Sequence, residues 1–538
     1  MAAELVITDA LVLDGTGAAG RHGDVLVDGD RIVEIAPPGC GLRARRRVAA
    51  DGRVVAPGFI DLHAHSDLAI LADRDHLAKV SQGVTCEVLG QDGLSYAPVD
   101  AASLEVLRQQ LAGWNGDPDL SYGWASVADY LDALDHGIPC HAAYLVPQGT
   151  VRLLVMGAED RPATPAELAQ MAAVVRQGLA DGAVGMSSGL TYPPSMYADD
   201  DELVALCRVV AEADGFYAPH HRSYGHGALA AYAEMIEVAR ASGCALHLTH
   251  ATLNFAENRG RAEELLAMVD GALEAGIDVT LDSYPYLPGS TSLVALLPRW
   301  ATAGGPAMIL RRLADPGERA RITEALEVTG SEGCHGCVVD WSTIEISGVG
   351  SPALADAVGQ TIAGLAERRG QRPSDTFAEP LIEDRLAPTI LQHVGNEENV
   401  QAIMRHRVHC AGSDAILVAE KPHPRAWGTF PRYLGHYVRD LGLLDLADCV
   451  HHLTGRPAAR LKLVDRGLVR VGYHADLVIF DPDRVRDTAT FDKPRQQAEG
   501  IDWVLVNGTP VIADGLRTDA LPGRALRRTA SGTRARST

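Results

Sequence analysis

Positive charge is in short supply along these 538 residues: 48 Lys and Arg stand against 70 Asp and Glu, a net charge of −22. That deficit argues against nucleic acid or an anionic membrane surface as the main partner, since both are held by clustered cations. Also missing is any apolar run of the roughly 20 residues that a membrane-spanning helix needs. No leader is expected: Met1-Ala-Ala-Glu4 has no basic start, and Asp9 and Asp14 break the apolar run behind it. Cysteines are few and show no pairing pattern. The nine are odd in number, scattered and mostly within apolar strand or helix patterns, which fits reduced thiols in a cytoplasmic protein. One local pair, Cys334-His-Gly-Cys337, has no second pair nearby, so a loop with two ordinary cysteines is favoured over a structural zinc.

What is present is ordinary globular material, 46% apolar and 22% charged, at a length that implies two or three domains. The first fifty-odd residues alternate β-rich runs and turns, as in Leu5–Asp14 and Asp24–Ile35, and the same texture returns in Ala475–Asp481 and Ile501–Gly508. One discontinuous sheet domain made from both chain ends is therefore expected, from residues 1–56 and 456–528. Residues 529–538 turn small, polar and basic and read as a disordered tail.

Between these pieces, strand-like runs alternate with helix-like ones. The strand candidates are Phe59–Leu62, Val84–Leu89, His141–Val146, Ala183–Ser187, Phe216–Pro219, Ala245–Thr249, Asp278–Asp282 and Val408–Gly412. Segments of helical period lie between most of them, such as Pro165 to Leu179 and Arg261 to Ala275. Eight β-then-α units predict a (β/α)8 barrel over residues 57–455. The long gap after the seventh strand predicts an insertion, about 288–341, lying as a lid beside the barrel mouth.

The chemistry-bearing residues follow strand ends, where such a barrel builds its active site. His63-Ala-His65 is the most informative: two imidazoles one residue apart on extended backbone face the same side and can share a cation. Gly90-Gln-Asp-Gly93 offers Asp92, Pro219-His-His-Arg222 offers His220, Thr249-His250 a further imidazole, and Gly412-Ser-Asp414 a carboxylate. Singly, each histidine reads as a hydrogen-bonded residue of the mouth. Together they suit a borderline metal such as zinc. Such an ion acidifies water and polarises a carbonyl, and Asp414 is placed to accept and return the proton; its plainer reading is a helix cap.

These residues resemble the amidohydrolase superfamily, and within it the N-acyl-D-amino-acid deacylase (D-aminoacylase) branch. The likeness runs through Ala56-Pro-Gly-Phe-Ile-Asp-Leu-His-Ala-His-Ser-Asp67, Gly185-Met-Ser-Ser-Gly-Leu-Thr-Tyr-Pro-Pro194, Ser283-Tyr-Pro-Tyr286, Gly412-Ser-Asp414 and His423-Pro-Arg425. The resemblance implies an α/β protein, a barrel with a β-sandwich and a lid, carrying one or two divalent ions, zinc first among them. It implies His220 and His250 as principal ligands, His63 and His65 at a second position, and Asp414 as base then acid. Tyr284 and Arg425 would hold a substrate carboxylate, with Ser290 in the adjoining loop; Arg222 and Tyr192 complete the substrate-side candidates. A guanidinium suits a carboxylate, although Arg425 serves equally well in a salt bridge with a nearby Asp or Glu.

Three departures stand out. Asp92 occupies the place of a family cysteine ligand, and a carboxylate is harder than a thiolate and can bridge two cations. Thr252 stands where a family lysine aids substrate binding, and Pro147-Gln148 replaces a Gly-His. The leading expectation is a small-molecule hydrolase that deacylates N-acyl-D-amino acids. Hydrolysis of another amide, such as a D-configured peptide or a cyclic amide, is the alternative, and a non-catalytic scaffold ranks last because the ligand set is intact. Homo-oligomerisation is left open.

Overall fold

A computed structural model describes residues 3–536. The chain opens with five strands: β1 (Ala3–Val12), β2 (Arg21–Asp28), β3 (Arg31–Ala36), β4 (Ala44–Ala49) and β5 (Val54–Pro57). Seven of the eight barrel strands follow: β6 (Phe59–Asp61), β7 (Val84–Leu89), β8 (His141–Pro147), β9 (Gly185–Gly189), β10 (Phe216–His220), β11 (Ala245–Leu248) and β12 (Val279–Ser283). After an insertion carrying β13 (Gly289–Ser292), β14 (Ile344–Gly348) and β15 (Thr389–Gln392), the barrel finishes with β16 (His409–Ala411). The C-terminal part adds β17 (Leu477–Phe480), β18 (Ile501–Val506), β19 (Thr509–Ala513), β20 (Leu516–Arg517), β21 (Leu526–Thr529) and β22 (Gly532–Ala535).

The barrel sheet runs β6 to β12 in sequence order and then β16, with every neighbouring pair parallel. Its ends come together where the Leu62 N–H donates to the Ala411 carbonyl at 3.3 Å and the Asp414 N–H to the His63 carbonyl at 2.8 Å. Strands such as Val84–Leu89 are buried at every residue, which explains their near-continuous apolar, β-branched sequence. The surrounding helices carry local start signals. Pro165–Ala180 begins with a capping box between Thr164 and Glu167, and Asp199 caps Asp200–Glu212.

Both chain ends meet in a nine-stranded sheet ordered β20-β19-β18-β17-β5-β1-β2-β3, with β4 on β1. The junction is antiparallel pairing of β17 with β5, Leu477 opposite Pro57. Two expectations are corrected. The insertion does not end near 341, because β15 pairs with both β13 and β14 and closes its sheet only at Gln392. Its separate apolar core runs from Leu293 to Ile390. The tail is not disordered over its described part. β21 and β22 pair, Thr533 is buried, and Arg527 and Arg536 meet Asp132 at 2.6 Å each. Acidic partners on the barrel exterior neutralise the basic residues that made the segment look unstructured. Residues 537 and 538 lie outside the described residues.

A buried ion network beneath the strand ends ties β6 to β16. The Lys79 ammonium, with no exposure to solvent, donates to Asp61 at 2.7 Å and to the Ser413 hydroxyl at 2.9 Å. Asp61 in turn accepts from the backbone N–H groups of Ser413 (2.8 Å) and His63 (3.2 Å). One carboxylate thus fixes the segments that carry His63 and Asp414. Removing a single partner leaves an uncompensated buried charge, so Lys79→Met is expected to lose about 3–5 kcal/mol of stability. Urea unfolding of the variant checks this, and a loss below 1 kcal/mol would demote the network to decoration.

Candidate metal centre and active-site cavity

Asp92 follows the end of β7 in a turn that needs unusual backbone. Its φ is +54°, and those of His250 and Asp414 are +32° and +50°. Left-handed backbone is uncommon for any residue but glycine, though Asp and His adopt it more readily than most, and such conformations concentrate where a site over-determines the chain. Close approach makes the Asp92 turn possible. A Cβ on Gly93 would stand 2.5 Å from the Gly189 nitrogen, and one on Gly189 would overlap the Asp92 carbonyl.

Four imidazoles converge on this carboxylate. His63 Nε2 lies 3.4 Å from Asp92 Oδ1 and His65 Nε2 3.6 Å from Oδ2; His220 Nδ1 is 3.4 Å from Oδ2 and His250 Nε2 3.5 Å from Oδ1. Two overlapping ligand groups result: His63, His65, Asp92 and Asp414, and then Asp92, His220 and His250, with the donor atoms of each group within 4.8 Å of one another. All are buried. The donors fit a borderline divalent ion. Both His63 ring nitrogens and Asp92 Oδ1 are buried with no hydrogen-bond partner, a costly state unless something else meets them.

Neighbouring groups orient the ligands. The Thr191 hydroxyl is 2.6 Å from His220 Nε2, leaving Nδ1 to face Asp92. Asp282, at the end of β12, accepts from His247 (2.8 Å) and from the His250 N–H (2.8 Å) and lies 3.7 Å from His63 Nδ1. Burial works against charge here, yet the partners prevail. Burial pushes Asp92 up, but His220, His63 and His250 hold it well below the usual carboxylate range. Burial lowers His63, but Asp92, Asp282 and Asp414 reverse this and hold it well above an ordinary imidazole. His220 has no such surplus and is lowered by burial.

Asp414 faces both clusters. Its Oδ1 lies 3.1 Å from His65 Nε2 and 3.6 Å from His63 Nε2, while Oδ2 is 2.9 Å from Arg425 Nη1. Burial raises the carboxyl, and Arg425, then His65, His63 and His250, bring it below its ordinary value. The site opens on a cavity whose lining includes Trp114, Tyr192, Tyr224, Thr252, Tyr284, Ser290 and His335.

All six ligand and proton-transfer candidates therefore meet in one place. Tyr192, Tyr284 and Ser290 line its cavity. Arg425 stands behind Asp414, fully buried, with its guanidinium 4.4 Å over the Tyr284 ring. Arg222 is a correction. Its side chain pairs with Glu234 at 2.7 Å and donates to the Met196 and Ala198 carbonyls, away from the cavity lining, because the adjacent helix Ala228–Ser242 supplies a carboxylate. Sequence reasoning missed Trp114, whose ring lies 5.0 Å from that of His65, and gave His335 no role. His335 belongs to the Cys334–Cys337 turn of the insertion, and burial beside His220 and His250 lowers it to about 3. Both cysteines of that turn are free, and neither joins a ligand cluster among the described residues.

The family described as the amidohydrolase family matches residues 46–512. The D-aminoacylase of Alcaligenes xylosoxydans xylosoxydans is 36% identical over 531 residues, 98% of each chain. Among solved structures, an N-acyl-D-glutamate deacylase from Bordetella bronchiseptica, complexed with zinc and a phosphonate mimic of the tetrahedral intermediate, superposes with a TM-score of 0.82. It is 34% identical, and the match covers 98% of this chain and all of that one. A D-aminoacylase solved to study its binuclear metal centre gives a TM-score of 0.81 at 35% identity, covering 98% and 100% of the two chains.

Proposed function

Because the chain belongs to the amidohydrolase family, in company with the D-aminoacylases, we propose that it is a metal-dependent deacylase that hydrolyses N-acyl-D-amino acids to a D-amino acid and a carboxylate. The observation that carries this reading is the Asp92 carboxylate shared by two histidine groups beside Asp414, both carboxylates lining one cavity. His220 and His250 would hold one ion with Asp92, and His63 and His65 a second. Zinc fits these donors. A bound ion of this kind supplies acidified water and a polarised amide carbonyl.

The remaining work falls to the side chains. Asp414 accepts a proton from the attacking water and returns it to the departing amide nitrogen, one carboxylate serving both steps. Arg425 holds Asp414 ionised and steady for the first of them. Tyr284 and Ser290, which line the cavity, would position the amino-acid carboxylate. Location in the cytoplasm accords with nine free cysteines; no described helix is long and apolar enough to cross a membrane.

A second reading keeps the chemistry and changes the leaving amine. No Lys or Arg side chain lines the cavity, Thr252 is engaged with Asn254 at 2.9 Å, and Arg425 is taken up by Asp414. An amide without a free carboxylate, such as a D-configured peptide bond, meets no missing cation there. The test is metal content by mass spectrometry together with turnover of paired N-acetyl-D- and N-acetyl-L-amino acids. Hydrolysis confined to the D series and abolished by chelation is expected. Equal rates on both enantiomers, or activity that survives complete metal removal, would overturn the proposal.

A further inference from the structure

A second cavity lies directly beside the catalytic one. The two share Trp114, Thr191, Tyr192 and Ala295 as walls. The rest of the second lining is mostly apolar, with Leu94, Val106, Leu153, Val294, Ile309 and Leu386 prominent; Gln109, Gln110, Ser292 and Thr302 are its polar members, and none of the described residues lining it is Asp, Glu, Lys, Arg or His. Its partition is an aromatic pair: the Trp114 and Tyr192 rings meet edge to face with centroids 4.9 Å apart. Trp114 in turn lies against the His65 ring, so the partition stands one ring away from the metal ligands. The Trp114 indole N–H is buried without a hydrogen-bond partner, which is unusual for a tryptophan at this depth. Both the barrel and the insertion contribute to the lining, the first through Leu153 and the second through Val294 and Ile309.

We infer that this second cavity is an acyl-chain subsite, and that the protein takes N-acyl-D-amino acids carrying medium-length apolar acyl groups, hexanoyl to decanoyl, in preference to acetyl. The inference rests on the deacylase reading above. The choice of occupant follows from connectivity. The acyl chain is bonded directly to the carbon that is attacked, whereas the amino-acid side chain begins three bonds away, through nitrogen and Cα. The substituent that meets the wall nearest the metal ligands is therefore the acyl chain. Its tail removes apolar surface from water, and a lining without cationic side chains offers no ion pair to a D-aspartyl or D-glutamyl carboxylate.

The test is a chain-length series on the intact metal-loaded protein: N-acetyl-, N-hexanoyl- and N-octanoyl-D-alanine, set against N-acetyl derivatives of D-alanine, D-leucine and D-phenylalanine. Expected is a rise in kcat/KM with acyl length of roughly tenfold for each two methylenes. Val106→Trp fills the second cavity from a half-buried position outside the catalytic machinery; it should flatten the series at octanoyl and leave N-acetyl-D-alanine unchanged. Val294→Phe, from the insertion, repeats the test should Val106→Trp fold poorly. A flat or falling acyl series with robust N-acetyl turnover would overturn the subsite and spare the deacylase reading. A gain that follows the amino-acid side chain instead would assign the cavity to that group and likewise overturn the inference. Failure to hydrolyse any member of either series would remove both readings together.

Discussion

Asp92→Asn is expected to lose bound metal and turnover together, and to lose both ions where other ligand changes lose one. The geometry gives the reason. Asp92 alone belongs to both ligand groups, at 3.4–3.6 Å from all four imidazoles. His65 belongs to one group only, so His65→Ala should keep the ion held by His220, His250 and Asp92. Asparagine retains the shape of the side chain and tolerates the left-handed φ of +54°, which separates ligand loss from backbone strain. Lost water activation implies a turnover deficit on the order of 10³-fold or more. Metal stoichiometry after dialysis, measured beside kcat, checks the pair of effects. Full metal content in Asp92→Asn would show that the carboxylate stands near the ions without binding them.

The convergence of His63, His65, Asp92, His220, His250 and Asp414 was legible because a parallel barrel puts every strand's C-terminal end on one face. Knowing the strand ends was enough to know the neighbours. Direction was less legible. Arg222 lies only two residues past His220, the last residue of β10, yet a glutamate one helix later, Glu234, captures it. Arg425 meets a carboxylate as its chemistry demands, but that carboxylate is Asp414, a pairing across eleven residues that spacing alone does not choose over a substrate. Trp114 reaches His65 only through the fold, from the short helix Ala112–Asn115 between the second and third barrel strands. The insertion was cut short because Ile362–Arg369 and Pro373–Glu383 have the same helical period as barrel helices. Only the pairing of β15 shows which core they serve. The arginine-rich end looked unstructured because Asp132, Asp135 and Asp214, which neutralise it, lie more than 300 residues away.

Asp414→Asn should cost about 10²–10⁴-fold in turnover, the usual worth of positioned acid–base catalysis, while metal remains bound through His220, His250 and Asp92. The substitution has a structural effect as well, which must be separated from the catalytic one. Asp414 and Arg425 form a buried ion pair at 2.9 Å, and Arg425 is fully enclosed. Neutralising one partner strands the other charge, at an expected cost of about 3–5 kcal/mol in stability. Adding Arg425→Met to Asp414→Asn removes the stranded charge and should restore much of that stability. Proton transfer would not return with it, since the one other carboxylate among the described residues lining the cavity is Asp92, which both ligand groups share. Stability that recovers in the double variant while kcat stays low therefore identifies Asp414 as the proton carrier. Recovery of both would mean that the single variant failed through its fold, and the role would pass to His63 or His65. The measurements are thermal melting, metal content and kcat for the two single variants and the double, in one buffer and at one metal concentration.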